Sequence, residues 1–251
     1  MTYDCIYETE DFFYLVFEPV LAMNLRDMIK ANHTISKQKT KIIMEAVLSA
    51  ISYLHNKNIL HRDINPNNIF FRDKKLCQDN IVLGDFGISI REQDLNNNKM
   101  YVKCGTPGFI APEIFNSNNK EKITYDKRCD LFSLGITFYY IRLGRAPYDP
   151  YDINGLKEMM EKNRKCEFTL KEYINLDYMG NLFSITFKYY FILEKYLFER
   201  LCDINPEKRG DIDDWINFDL YPSCNDITRE ENEFEEKDGY LLSEKMIKFK
   251  L

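Results

Sequence analysis

Glycine is scarce in this chain, with ten residues in 251 and none before Gly84. A glycine-rich loop whose backbone N–H groups cradle phosphate is therefore excluded from everything upstream of that position. No Lys or Arg precedes Glu18-Pro19-Val20, and the first cation of the chain is Arg26. Three histidines and seven cysteines, with no Cys-x-x-Cys pair, argue against a zinc site. Cysteines scattered in this way suit reduced thiols of the cytoplasm or nucleus. The start, Met1-Thr2-Tyr3-Asp4, lacks the basic region and apolar core of a secretory leader. No apolar run approaches the ~20 residues of a membrane span. The most apolar stretch, residues 132–141, fits a buried central helix. A formal charge of −6 without a long basic run argues against nonspecific nucleic-acid binding.

Against these absences stand two polar strings. The first is His61-Arg62-Asp63-Ile64-Asn65-Pro66-Asn67-Asn68, and the second is Gly84-Asp85-Phe86-Gly87. An Asp five residues before an Asn, followed by an Asp on a Gly-flanked turn, is a layout for phosphoryl transfer. Three further strings follow in order: Cys104-Gly105-Thr106-Pro107-Gly108-Phe109-Ile110-Ala111-Pro112-Glu113, Asp130-Leu131-Phe132-Ser133-Leu134-Gly135 and Asn205-Pro206-Glu207-Lys208-Arg209. The ensemble resembles the eukaryotic protein kinases of the Ser/Thr type, from near the N-terminus to about residue 220.

The resemblance implies a role for each residue. Asp63 orients the acceptor hydroxyl and is its candidate proton acceptor, while Asn68 and Asp85 are the Mg²⁺ ligands. Thr106 bridges Asp63 and the residue two positions after it. The family has Lys there and this chain has Asn65, which donates a hydrogen bond but cannot offset charge on the transferring phosphoryl group. Adenine is expected to bond the backbone of Glu18 and Val20 in a hinge, with Phe70 packed under the ring or serving simply as a core residue, and Asn24 near the ribose. His61 is expected beneath Phe86 of the Phe86-Gly87 turn. Arg62 is expected to meet a carboxylate, a phosphotyrosine at Tyr101, or nothing. Glu113 is expected to pair with Arg209, and Asp130 to start the buried central helix. His33 and His55 are expected to be ordinary surface or helix-end residues.

The implied fold is α+β and protein-kinase-like, a mostly helical large lobe with a truncated small-lobe sheet. Its expected division is remnant small-lobe strands over 1–17, a hinge over 18–24, the large lobe over 25–220 and an acidic tail over 221–251. Residues 3–8 and 12–17, rich in aromatic and β-branched side chains, predict two strands in a hairpin. Two strands rarely hold alone, so they are expected to pack, pair or fray. Helices are predicted over 25–31, after the cap Ser36, and over 130–143, 153–162, 187–203 and 212–217. Ile43, Val47, Ala50, Ile51 and Leu54 form the apolar face of the second. Residues 69–71 and 81–83 predict a strand pair around a polar turn. Residues 88–103, with Asn96-Asn97-Asn98, predict a mobile loop, and the acidic run 230–238 a solvated tail.

The expected function is transfer of the ATP γ-phosphate to Ser/Thr hydroxyls of a protein substrate, with ATP and Mg²⁺ as cofactors. No nucleic acid or membrane partner is expected. The missing Gly-rich loop and Lys open two alternatives: a protein that completes the small lobe, and a catalytically inactive binding module or scaffold. Asn24, Asn67 and Tyr140 stand where kinases that prefer basic substrates place acids, so no strong preference for Arg upstream of the acceptor is expected.

Overall fold

The computed structural model describes residues 3–17, 23–32, 35–95, 103–116, 125–147, 155–168 and 185–222. Strands β1 (Tyr3–Glu8) and β2 (Phe13–Phe17) form the expected antiparallel hairpin, with Cys5 opposite Val16 and Tyr7 opposite Tyr14. The strands pair with each other but leave their large side chains in solvent. Ile6, Tyr7, Phe12, Phe13, Tyr14, Leu15 and Phe17 are between 39% and 70% exposed, on both faces of the ribbon. A two-stranded ribbon with this much apolar surface in solvent is one that gains by being covered.

Helix α1 (Leu25–Asn32) follows, and then α2 (Lys37–Asn56), the long helix that carries the site. The Ser36 hydroxyl caps α2 by accepting from Lys39 N at 3.4 Å. The predicted apolar face is buried apart from Ala50, which is half-buried, and burial extends around to Ser52 and His55. The strands after α2 are short. β3 (Ile59–Leu60) pairs with β6 (Ile90–Arg91), and β4 (Ile69–Phe71) with β5 (Ile81–Leu83), both antiparallel. The polar turn between β4 and β5 closes on itself: Arg72 N donates to Asn80 O at 2.8 Å, and Asp73 Oδ1 accepts from Asn80 Nδ2 at 2.8 Å.

The remaining elements are helical: α3 (Pro112–Asn116), α4 (Arg128–Leu143), α5 (Leu156–Lys165), α6 (Ile185–Leu201), α7 (Pro206–Arg209) and α8 (Ile212–Ile216). Helix α4 is apolar around most of its circumference, so it can only be central. Leu131, Phe132, Leu134, Ile136, Phe138 and Tyr139 are all fully enclosed. It ends on Gly144 in the left-handed region (φ 69°), whose N–H bonds Tyr140 O. Helix α6 crosses α4 at Gly135, where a Cβ would stand 2.5 Å from Cys202 Sγ and 2.8 Å from Leu201 Cβ. Only glycine allows that approach.

Three helices differ from expectation. Helix α5 spans Leu156–Lys165 after Gly155, which takes φ 123°, where a helix over 153–162 was expected. Helices α3 and α7 each begin on a proline, whose fixed φ suits a first helical position. Neither is long enough to leave a period in the sequence. The hinge residues Glu18, Pro19 and Val20 lie outside the described residues, as do His33, Asn96-Asn97-Asn98, Tyr101 and the run 230–238.

Candidate active site

The site is assembled where α2 delivers the chain through β3 into the loop before β4. Asn65 caps a single 3₁₀ turn, Pro66–Asn68, by accepting from Asn67 N at 2.9 Å, and Pro66 occupies the first position of that turn. The turn leads directly into β4. Across the ladder, Gly84 N donates to Asn68 O at 2.9 Å. Asn68 and the Gly84-Asp85 turn therefore stand at the same end of the β4–β5 ribbon.

Asp63 is half-buried, and donors converge on both of its oxygens. Oδ1 accepts from Thr106 N at 2.8 Å and Asn65 Nδ2 at 3.1 Å, and Oδ2 accepts from Asn68 Nδ2 at 2.9 Å. Asn65 Nδ2 also lies 3.1 Å from Thr106 Oγ1, so the amide spans Asp63 and Thr106 as the sequence implied. Asn68 spends its N–H₂ on Asp63, which turns its carbonyl oxygen to the other side. Asp85 is exposed and left-handed (φ 61°), with Oδ1 accepting from Gly87 N at 3.2 Å. An amide oxygen and a carboxylate at one ribbon end are hard donors that fit Mg²⁺ when phosphate oxygens and water complete its shell. Among the described residues no group of three or more His, Cys, Asp or Glu side chains could hold a metal ion by itself.

The residues behind Asp63 fix it. His61 Nε2 lies 3.0 Å from Gly84 O, a carbonyl that can only accept, so Nε2 carries the proton. Nδ1 is then free to accept from Asp63 N at 3.3 Å. The imidazole packs on the Phe86 ring at 4.9 Å between centroids, as expected. Gly105 (φ 118°) brings the segment carrying Thr106 against the loop; a Cβ there would lie 2.9 Å from Arg62 O.

The protein kinase domain family matches residues 1–219. This chain belongs to the protein kinase family. Its α+β fold, dominated by helices around α4, is protein-kinase-like. Among curated relatives, serine/threonine-protein kinase 33 of Bos taurus is 30% identical over 62% of this chain and 32% of its own length. Calcium-dependent protein kinase 5 of Plasmodium berghei is 34% identical over 65% and 27%. The phosphorylase b kinase gamma catalytic chain, liver/testis isoform, of Bos taurus is 36% identical over 57% and 34%. The kinase chain thus spans about a third of these relatives.

In this member of the family the loop from His61 to Asn68 hangs from one buried carboxylate. Asp130, at the first turn of α4, accepts from His61 N at 2.9 Å and Arg62 N at 2.8 Å, and sits 3.0 Å from His55 Nε2. His55 is a helix-end residue, in the last turn of α2, but it is buried and not on the surface; it falls one turn after Ile51 on the apolar face, which was the available signal. Burial by itself pushes the Asp130 carboxyl up, but the hydrogen bond from His55, the pull of the two imidazoles and the His61 N–H outweigh it. The carboxyl is left below its ordinary value of 3.8. Because the folded value is the lower one, this group contributes stability above the ordinary value and loses it as pH falls through and below that value. Urea midpoints are expected to drop as pH is taken below about 4, and an Asp130→Asn variant, lower at neutral pH, should show a flatter profile.

Arg62 has two partners that were not foreseen, while the foreseen Tyr101 lies outside the described residues. Its Nε donates to Ile88 O at 2.7 Å and its Nη1 to the Tyr125 hydroxyl at 2.9 Å. Tyr125 was not singled out in the sequence, and neither was Asn163, a buried side chain on α5 that donates to Ile110 O. Together with Ser133, whose hydroxyl bonds Phe109 O at 2.7 Å, Asn163 anchors the segment between Thr106 and Glu113. Glu113 and Arg209 form the expected pair, bidentate at 2.6 and 2.8 Å. Asn24 caps α1 through Asp27 N at 3.0 Å and bridges Phe70, which places both beside the β4 end of the site. Burial pushes the neighbouring Cys104 thiol up, so it remains a neutral bystander to Asp63.

Proposed function

We propose that this chain transfers the γ-phosphate of Mg-ATP to Ser/Thr hydroxyls of a protein substrate. The observation that carries the reading is the Asp63 carboxylate, gripped by Thr106 N, Asn65 and Asn68, with the Asn68 carbonyl and Asp85 at the same ribbon end. Asp63 would align the acceptor hydroxyl and take its proton. Asn68 and Asp85 would hold Mg²⁺, which when bound neutralises charge on the phosphates. Glu18, Val20, Asn24 and Phe70 would receive the nucleoside. Thr106 beside Asp63, and relatives named as serine/threonine kinases, support Ser/Thr over Tyr acceptors. The exposed aromatic ribbon, and the exposed Tyr53 and Phe86, support a protein module that covers apolar surface and supplies a phosphate loop. The free cysteines among the described residues support a reducing compartment, cytoplasm or nucleus. No helix among the described residues is long and apolar enough to cross a membrane.

The test is phosphate incorporation from Mg-ATP into Ser, Thr and Tyr peptides, followed by mass spectrometry. Label on Ser or Thr peptides with none on Tyr is the expected outcome; no transfer at any protein concentration would refute the catalytic reading. Asn65→Lys is a companion measurement. It restores a cation at the transferring phosphoryl group and is expected to raise the single-turnover rate by about 10²-fold. It also removes the cap of the 66–68 turn, at a cost of about 1 kcal/mol in the urea midpoint.

A further inference from the structure

Arg26 stands in the first turn of α1, exposed to solvent, where a cation opposes the helix dipole. Its Nη1 donates to Asn67 Oδ1 at 3.2 Å, and among the described residues it pairs with no carboxylate. The nearest acid in sequence, Asp27, is turned away from it: its Oδ2 accepts from Asn24 N at 3.4 Å to close the helix cap. Lys30 follows Arg26 by one helical turn and is also exposed. The guanidinium is therefore held in place by a neutral amide, with its charge left for something else.

What Asn67 holds Arg26 against is the catalytic carboxylate. Asn67 Nδ2 donates to Asn65 Oδ1 at 2.9 Å, and Asn65 Nδ2 donates to Asp63 Oδ1 at 3.1 Å. Two hydrogen-bonded amides thus separate Arg26 from the group that meets the acceptor hydroxyl. Three hydrogen bonds and two amide widths span at most about 14 Å. An extended peptide advances about 3.3 Å per residue, so a substrate with its hydroxyl at Asp63 passes Arg26 two to four residues away.

We propose that Arg26 is a substrate-specificity residue that selects protein segments carrying Asp or Glu two to four residues from the phosphorylated Ser or Thr. The inference rests on the kinase reading of the site, and it deepens that reading by naming the substrate class. The surroundings agree in sign. The side chains beside Arg26, Asn24 at the start of its helix and Asn67 in the loop, are neutral and offer a basic substrate no countercharge. An acidic side chain arriving here gains a charge-assisted partner that is already positioned.

The experiment uses Ser peptides on a neutral background, with Glu, Arg or Ala placed in turn at each of four positions on either side of the acceptor. Two quantities are read for wild type and Arg26→Glu: KM for transfer, and the binding constant of the same peptides with Ala for Ser, by fluorescence anisotropy at low salt. For wild type, the best Glu peptide is expected to bind about threefold to fivefold tighter than its Ala counterpart, the range for an exposed ion pair, and the gain should shrink with added salt. Arg26→Glu is expected to invert the order, so that Arg peptides bind tightest. Equal binding of Glu and Ala peptides, or an order unmoved by Arg26→Glu, overturns the proposal. Transfer without charge preference sinks this inference alone. Charge-selective binding that inverts in the variant, with no transfer to any peptide, upholds it and removes the catalytic reading instead.

Discussion

Replacing Asp63 by Asn is expected to lower phosphate transfer by about 10³-fold while leaving nucleotide binding intact. The reason lies in the hydrogen bonds around the carboxylate. Both oxygens accept: Oδ1 from Thr106 N and Asn65 Nδ2, and Oδ2 from Asn68 Nδ2. An Asn here must point its N–H₂ at one of these donors. It loses that bond, and the side chain turns out of the position that aligns the acceptor. It also cannot take a proton. A positioned acid or base contributes roughly 10²–10⁴ in rate, and orientation adds to that. The nucleotide side is spared, because Asn68 keeps its bond to the Asp63 backbone carbonyl at 2.9 Å and Asp85 is tied to Gly87 rather than to Asp63. Single-turnover transfer and binding of a fluorescent nucleotide, measured on the same preparation, separate the two effects. Wild-type transfer by the variant would remove Asp63 from the mechanism. Loss of nucleotide binding would mean that the loop as a whole depends on this carboxylate.

The parts of the site that were legible in the sequence are those in which a short string defines its own geometry. Asn65, Pro66 and Asn68 specify a capped turn within four residues, and β4 follows without a gap. Ile69-Phe70-Phe71 and Ile81-Val82-Leu83 pair as expected because their polar turn closes on Asp73 and Asn80. Contacts between distant segments were legible only where the family resemblance supplied them, as for Glu113 and Arg209. His55 meets Asp130 across 75 positions and Tyr125 meets Arg62 across 63, and nothing local in either residue announces its partner. His55 did share the helical spacing of Ile51, but a histidine on an apolar face has no preferred reading until its acceptor is known. The hairpin shows the converse. Its strands were plain from side-chain type, yet the choice between packing, pairing and fraying depends on what lies over Phe13 and Leu15, and no residue in those strands encodes that.

The largest loss of stability is expected from Glu113→Ala. Arg209 is fully enclosed, with its guanidinium 5.0 Å from the centre of the Phe132 ring, while the Glu113 side chain retains 12% exposure. The two partners are therefore unequal. Without Glu113 the cation keeps its bonds to Asp203 O at 2.8 Å and Arg128 O at 3.2 Å but has no countercharge. Stranding a buried charge in this way costs roughly 3–5 kcal/mol, a large part of the 5–15 kcal/mol typical of a folded domain. Glu113→Gln retains one acceptor and should lose less. Adding Arg209→Met to Glu113→Ala should recover part of the loss, because it removes the unpaired charge and fills the space with apolar atoms. Urea midpoints of wild type, Glu113→Ala, Arg209→Met and the double variant form the cycle that reads this coupling. Transfer should fall along with stability, because Glu113 lies in α3, directly after the segment that holds Thr106 on Asp63. A change of under about 1 kcal/mol in Glu113→Ala, the scale of an exposed pair, would mean that water replaces the carboxylate at Arg209 and that the segment is anchored instead by Asn163 and Ser133.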